Sequence, residues 1–256
     1  MKTILLFMLA MIVLGASAQK NVVIDQDLAD NSDPLKVKIG VQTMGKVAKY
    51  KFGEYAVTES KNGWTTSHGK SNFWGTREES TTRNKFSFTL GDGKSNTARV
   101  NAATDVKVQL KNSLELFSGF YLGDDELQLA EHNFSASIIL NNDTTRLWLL
   151  FMKKSVGTES DEPGGAVLTN GQRKILIVSA TSEQEGKRGQ MLPARGYQFR
   201  EGEQTLSAIQ YLGGGMLGMN KSIVWLHKGL DEDTKLVLAA AMTALLQKEM
   251  TAITLD

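Results

Sequence analysis

Asp231-Glu-Asp-Thr-Lys-Leu-Val-Leu-Ala-Ala-Ala-Met-Thr-Ala-Leu-Leu-Gln-Lys-Glu-Met250 is the stretch that decides the fold of this chain. Acidic and hydroxyl residues at its start cap free N–H groups and suit the positive end of a helix dipole. Its middle is rich in Ala and Leu, the best helix formers. From Leu236 to Leu246 only Thr243 is polar, whereas a surface helix has one polar face. This apolar part rises about 16 Å, too little for a bilayer core of about 30 Å. We therefore predict a helix, residues 231–250, buried inside the protein.

Upstream of this helix the chain has the pattern of short strands joined by turns. Residues 105–110 alternate apolar and polar side chains, as half-buried strands do. Phe134–Leu140 and Arg146–Met152 flank a polar turn, and Asn170-Gly171 is a strong hairpin signal. About twelve antiparallel strands result, and strands that cover an apolar helix would close around it. The expected fold class is all-β with one buried helix: an antiparallel barrel of about twelve strands around the C-terminal helix.

The N-terminus reads as an export signal, residues 1–18. Lys2 precedes an apolar run from Ile4 to Leu14, and Ala16-Ser17-Ala18 is a small-residue cleavage site. The short signal is typical of bacterial proteins, and cleavage would release the chain to the periplasm or the outside without a transmembrane span. The alternative is an uncleaved membrane anchor. The polar, acidic residues 19–34 predict a flexible lead-in, and residues 35–256 predict a single barrel domain.

Composition excludes several classes of function. The chain has no Cys, so disulfides, thiolate catalysis and cysteine-bound metal sites are impossible. Its 29 Lys and Arg residues nearly balance 28 Asp and Glu residues. Nucleic-acid binders usually carry a strong basic excess, so we expect no nucleic-acid partner. We also expect no cofactor, because no cofactor-binding motif is present.

The end of the chain resembles the tubby-like superfamily. The resemblance rests on the Thr205-Leu-Ser-Ala-Ile-Gln strand, a Gly-rich turn, Ser222-Ile-Val-Trp-Leu and the hydrophobic helix that follows. That superfamily includes the tubby C-terminal domain, phospholipid scramblases and the plant LURP-one-related proteins. The resemblance implies a twelve-stranded barrel threaded by a C-terminal helix and, in parts of the group, a role at lipids. No functional residue can be carried over, because the basic phosphoinositide-binding cluster has no counterpart here.

Three aromatic residues in a polar segment are the candidate binding residues. Trp64, Phe73 and Trp74 interrupt a stretch that is otherwise rich in Ser, Thr, Asn and Gly. They are candidates for the edge of a lipid or carbohydrate site, because aromatic side chains offer a large apolar contact area. The alternative is that they only cap one end of the barrel.

Signals for catalysis or metal binding are weak. His68 lies in a polar loop, but no Gly-x-Ser-x-Gly motif accompanies it. Glu131-His132 and the acidic loop Glu159–Glu162 lack the spacing of a known zinc or calcium motif. His227 is expected in a turn, and Gly213-Gly-Gly215 is expected in a hairpin turn, since a strand and not a helix follows it. We expect no metal site and no catalytic residue.

The sequence therefore favours an exported, non-enzymatic protein that binds a lipid, an envelope component or a protein partner. One alternative is a hydrolase of an envelope or polysaccharide substrate that uses Asp124, Asp125 or Glu126. Such an enzyme would need two carboxylates across a cleft. A second alternative is a purely structural or adhesive surface protein. The sequence does not indicate an oligomeric state.

Overall fold

The computed structural model describes residues 21–40, 47–62, 66–71, 78–109, 114–115, 121–122, 129–155, 166–182, 193–214 and 221–255. Its elements are α1 (Gln26–Asp30), β1 (Leu35–Lys36), β2 (Lys38–Ile39), β3 (Tyr50–Phe52), β4 (Tyr55–Asn62), β5 (Thr66–Ser71), β6 (Glu78–Gly91), β7 (Thr97–Gln109), β8 (Leu114–Glu115), β9 (Tyr121–Leu122), β10 (Leu129–Leu140), β11 (Leu147–Ser155), β12 (Ala166–Thr169), β13 (Lys174–Thr181), β14 (Arg195–Glu201), β15 (Gln204–Leu212), β16 (Ile223–Leu226) and α2 (Glu232–Leu255).

One antiparallel sheet forms a nearly closed barrel. Its strands follow the order β1-β16-β15-β14-β13-β12-β11-β10-β7-β6-β4-β3-β2, β5 pairs with β6, and β8 and β9 form a separate ribbon. The segment from residue 35 to 39 joins the two ends of this order. Leu35 lies opposite Val224 of β16, whereas Ile39 lies opposite Tyr50 of β3. A barrel closed in this way leaves few strand edges for pairing with other chains.

The C-terminal helix α2 fills the barrel. Every residue from Leu236 to Leu246 is at most 1% exposed, and the helix contacts β7 and β10 as well as β15 and β16. The strands turn alternate side chains inward onto it, for example Phe134, Ile138 and Leu150. Thr243, the one polar residue of this part, donates its hydroxyl to the Ala239 carbonyl at 2.8 Å. The predicted all-β barrel around a buried C-terminal helix is therefore confirmed.

The segment before β1 packs against the barrel, so the expectation of a flexible lead-in is wrong for residues 21–34. Val22 and Leu28 are buried on the outer face of β13–β16, together with Ala208 and Trp225. The Val22 N–H donates to the buried Gln210 side chain at 2.9 Å. We name residues 22–32 the strap. Its apolar residues find a surface that only the folded barrel provides, which the polar composition of the segment concealed.

Candidate functional site

The strand directions give the barrel two different ends. Tight turns gather at one end, here called the turn end: 53–54, 92–96, 141–146, 170–173 and 202–203. The helix α2 also starts there. At the opposite end, here called the loop end, lie the last residues of five strands: Asn62, Gln109, Ser155, Thr181 and Leu212. The helix runs towards this loop end.

Ion pairs fasten the start of the helix at the turn end. The Lys94 ammonium lies 3.1 Å from Glu232 and 3.8 Å from Glu54. Arg146 pairs with Asp233. Acidic residues in the first turn also suit the positive end of the helix dipole. These contacts join three turns of the barrel to the start of helix α2.

Arg173 makes the most extensive contact at the turn end. Its Nε and Nη2 atoms donate to the two oxygens of Glu201 at 2.9 and 2.7 Å, and Nη1 donates to the Thr234 hydroxyl at 2.9 Å. The guanidinium also lies over the Trp148 ring, 5.6 Å from its centroid. The hydrogen bonds from Arg173 lower the pKa of Glu201. This bidentate pairing orients the side chains of Arg173 and Glu201. The additional bond to Thr234 connects the turn at 170–173 to helix α2.

Asp231 caps the same helix end, as the sequence predicts. One carboxylate oxygen accepts the Thr234 N–H at 2.8 Å, and the other accepts the Thr234 hydroxyl at 2.7 Å. Desolvation opposes ionisation of Asp231, but these hydrogen bonds outweigh it and its pKa is lowered. His227 lies in the turn before this cap, as predicted, and its Nδ1 accepts the Gly229 N–H at 3.0 Å.

A polar cluster surrounds the helix where it reaches the loop end. Gln247 accepts hydrogen bonds from the Ala48 N–H at 3.1 Å and from the Tyr50 hydroxyl at 3.2 Å. Two residues further, Glu249 accepts the Tyr197 hydroxyl at 2.9 Å and pairs with Lys248. These contacts fix the exit of the helix as the ion pairs fix its start.

The tyrosines of this cluster are neutral hydrogen-bond donors. Desolvation raises the pKa of Tyr50. Desolvation, followed by the charge of Glu249, raises the pKa of Tyr197. A tyrosine that stays protonated can donate these hydrogen bonds, which position the end of helix α2.

The sequence pattern contained a signal for this cluster that was missed. Gln247-Lys248-Glu249 is the first polar run after Leu246 and marks where the helix leaves the apolar interior. The partner tyrosines could not be found in the same way, because they come from strands far apart in the sequence.

The candidate site residues named from the sequence fall mainly outside the part of the chain that the structure describes. Trp64, Phe73 and Trp74 lie outside the described residues, and so do Asp124, Asp125 and Glu126 and the acidic loop 159–162. The backbones of His68 and His132 belong to β5 and β10. Among the residues that the structure describes, no three His, Asp or Glu side chains gather as a metal site would require. No described helix is long and apolar enough to span a bilayer.

Comparison of the chain with models of protein families, with curated proteins and with solved structures gives no match. The tubby-like resemblance of the last strands and the helix therefore stays a prediction.

Proposed function

We propose that the protein is an exported, non-enzymatic binding protein whose ligand is a lipid of the cell envelope. The observation that carries this proposal is the filled barrel. The helix residues Leu236–Leu246 occupy the space in which barrels of other kinds hold a small ligand or a channel. We therefore place binding outside this filled interior, on the outer wall or at an end of the barrel.

The polar clusters support a binding role over a catalytic one. At the turn end, Asp231 accepts hydrogen bonds from Thr234 of the helix, and Arg173 donates both to Thr234 and to Glu201. At the loop end, Tyr197 donates to Glu249 of the helix. General acid–base catalysis needs a titrating group within reach of a substrate. In both described clusters, the hydrogen bonds of these groups hold helix α2 in place instead.

The lipid class rests on the sequence. The predicted signal sends the protein to a compartment bounded by membranes, and the tubby-like resemblance implies a lipid-associated role. Trp64, Phe73 and Trp74 remain the candidate binding residues. In the chain, Trp64 follows β4, which ends at Asn62, and Phe73 and Trp74 precede β6, which begins at Glu78.

Co-sedimentation of residues 19–256 with vesicles of envelope lipids tests this function. We expect the protein to sediment with the vesicles. Replacing Trp64, Phe73 and Trp74 by Ser should weaken binding by roughly tenfold or more per side chain, because burial of a large apolar side chain contributes about 1.5–3 kcal/mol. A protein that stays in the supernatant at every lipid concentration would overturn the proposal.

A matched control removes an apolar side chain elsewhere. Ile39 is 42% exposed on β2. The variant Ile39→Ser should bind vesicles as the unchanged protein does. Equal losses in the control and in the triple variant would remove the three aromatic residues from the proposed site.

A further inference from the structure

The outer wall of the barrel carries an apolar patch on three neighbouring strands. Leu147 and Leu176 are 37% and 45% exposed, and both side chains point away from the helix. Between them, Phe151 of β11 lies opposite Val167 of β12, which lies opposite Leu176 of β13. Leu149 lies on the same outer face of β11 as Leu147 and Phe151, because side chains alternate between the two faces of a strand. We name Leu147, Leu149, Phe151, Val167 and Leu176 the wall patch.

The wall patch is a local feature and not a general property of the outer surface. The outward residues of the described parts of β6 and β7 are mostly polar, for example Ser87, Thr89 and Asn101. The strap covers the other apolar part of the wall, on β13–β16. In β11 the run from Leu147 to Met152 is apolar on both faces. Such a run is expected for a strand whose two faces are both covered.

Among the side chains that the structure describes, those that carry charge next to the wall patch are cations. Arg99 lies opposite Ile139, which lies opposite Leu147. Lys174 precedes Leu176 on the same face of β13. Lys153 follows Phe151 on the same face of β11, but it has an interaction partner of its own within the protein. All three cations are exposed. The described outward side chains of β10–β13, and those of β7 up to residue 103, include no Asp or Glu, and the backbone positions of Asp105 and Glu131 lie further along these strands towards the loop end.

We infer that the wall patch is a membrane-docking face for the surface of an anionic lipid bilayer. An apolar surface with Phe and Leu, bordered by Lys and Arg, is the combination that holds proteins in the interface of anionic membranes. The cations neutralise lipid headgroups, and the apolar side chains enter the boundary between headgroups and acyl chains. The inference rests on the proposed lipid function and adds the face and the lipid charge.

The charge pattern favours a bilayer over a second copy of the chain. In a two-fold symmetric dimer, the same patch meets itself. Arg99 and Lys174 of one copy would then face the same cations of the other. Like charges across an interface oppose association, whereas an anionic bilayer complements them.

Vesicle co-sedimentation of residues 19–256 tests this face. The two probes are phosphatidylcholine vesicles and phosphatidylcholine vesicles that contain phosphatidylglycerol. We expect binding to the anionic vesicles that weakens as salt is added. Arg99→Gln with Lys174→Gln should weaken this binding about thirtyfold, since each basic residue near an anionic surface contributes on the order of 1 kcal/mol. Leu147→Asn with Leu176→Asn should weaken it by a similar or larger factor.

Two controls match these variants. Lys36→Gln with Lys51→Gln removes two exposed cations from β1 and β3, and Ile39→Asn removes one exposed apolar side chain from β2. Both controls should bind anionic vesicles as the unchanged protein does. Near-ultraviolet circular dichroism confirms that each variant is folded. The salt and lipid-charge dependence of the unchanged protein tests the electrostatic part without any variant.

The outcomes separate the docking face from the proposed function. Unchanged protein that binds vesicles while both wall variants bind equally well would overturn the docking face and leave the lipid function standing. Binding that does not depend on lipid charge or salt would do the same. Unchanged protein that binds neither kind of vesicle would overturn both. A dimer in analytical ultracentrifugation that Leu147→Asn with Leu176→Asn dissociates, with vesicle binding unaltered, would assign the patch to a second copy.

Discussion

At the scale of single residues, Gly196 shows how closely the barrel wall packs. It lies opposite Gln210, next to an irregularity in the pairing of β14 with β15. A Cβ atom at this position would collide with the carbonyl oxygen of Ile209 and would lie 3.0 Å from its carbonyl carbon. The obstacle is backbone and not a flexible side chain. The strands could accept a larger residue only by moving apart.

Gly196→Ala should therefore lower the free energy of unfolding by about 3 kcal/mol, the upper end of the usual cost of overpacking, because the obstacle is backbone. Urea unfolding followed by tryptophan fluorescence measures the change. Gly202→Ala is the control. Gly202 has a φ of +60°, and its added Cβ would meet nothing within 4 Å, so only backbone strain of about 1 kcal/mol is expected. Equal losses in the two variants would contradict the close approach at Gly196.

At the scale of elements, the strap is a short segment fixed by a few contacts. Gln210 accepts the Val22 N–H and donates to the Lys221 carbonyl, each at 2.9 Å. At the other end, the Asn31 carbonyl accepts the Lys228 N–H at 2.8 Å. Leu28, in the single turn of α1 between these contacts, is fully buried. The apolar anchor and the two hydrogen-bonded ends together order a segment that would be too short to fold alone.

Leu28→Ala should destabilise the protein by about 2–5 kcal/mol, the range for a fully buried leucine. The matched control is Val23→Ala in the same segment. Val23 is 52% exposed, so its loss should change stability by less than about 0.5 kcal/mol. Urea midpoints of both variants check the prediction. If Leu28→Ala behaves like Val23→Ala, the strap does not contribute to global stability.

The two elements also show what the sequence could predict. Helix α2 was predictable because its apolar residues surround the whole helix, and this property belongs to the helix alone. The strap was not predictable, because Val22 and Leu28 are scattered in an acidic segment and their burial depends on Ala208 and Trp225 far along the chain. A local sequence pattern predicts an element such as α2, whose own residues indicate its burial. It misses an element such as the strap, which becomes ordered only on the surface of the folded barrel.

The same distinction applies to the candidate site. The sequence proposed Trp64, Phe73 and Trp74 from their contrast with polar neighbours, and these residues stay predictions. The wall patch was missed, although the apolar run Leu147–Met152 was visible as a strand. Whether the second face of such a strand is covered depends on the neighbours of β11 in three dimensions. The sequence contains the residues of this face but not their arrangement across strands.

At the scale of the whole molecule, stability should depend on the charges that hold helix α2 at the turn end. The pKa of Glu201 is lowered by its hydrogen bonds from Arg173, and that of Asp231 by its hydrogen bonds from Thr234, against desolvation. A pKa that is lower in the folded than in the unfolded state means that the carboxylate form stabilises the fold. This contribution is fully present above the unfolded values, about 4.3 for Glu and 3.9 for Asp.

Stability should therefore fall as the pH drops from about 4.5 through the lowered folded values, because the unfolded chain then binds protons more readily. Arg173 and Glu201 are 36% and 34% exposed, so solvent screening limits this pair to about 1 kcal/mol. Urea midpoints between pH 7 and pH 3 measure the loss. Glu201→Gln should be less stable at pH 7 and should lose less on acidification, whereas Glu203→Gln, an exposed residue of the same turn, should follow the unchanged protein. If Glu201→Gln retains the full acid sensitivity, the Arg173–Glu201 pair does not contribute to it. Other carboxylates then account for the loss of stability at low pH and hold helix α2 in the barrel.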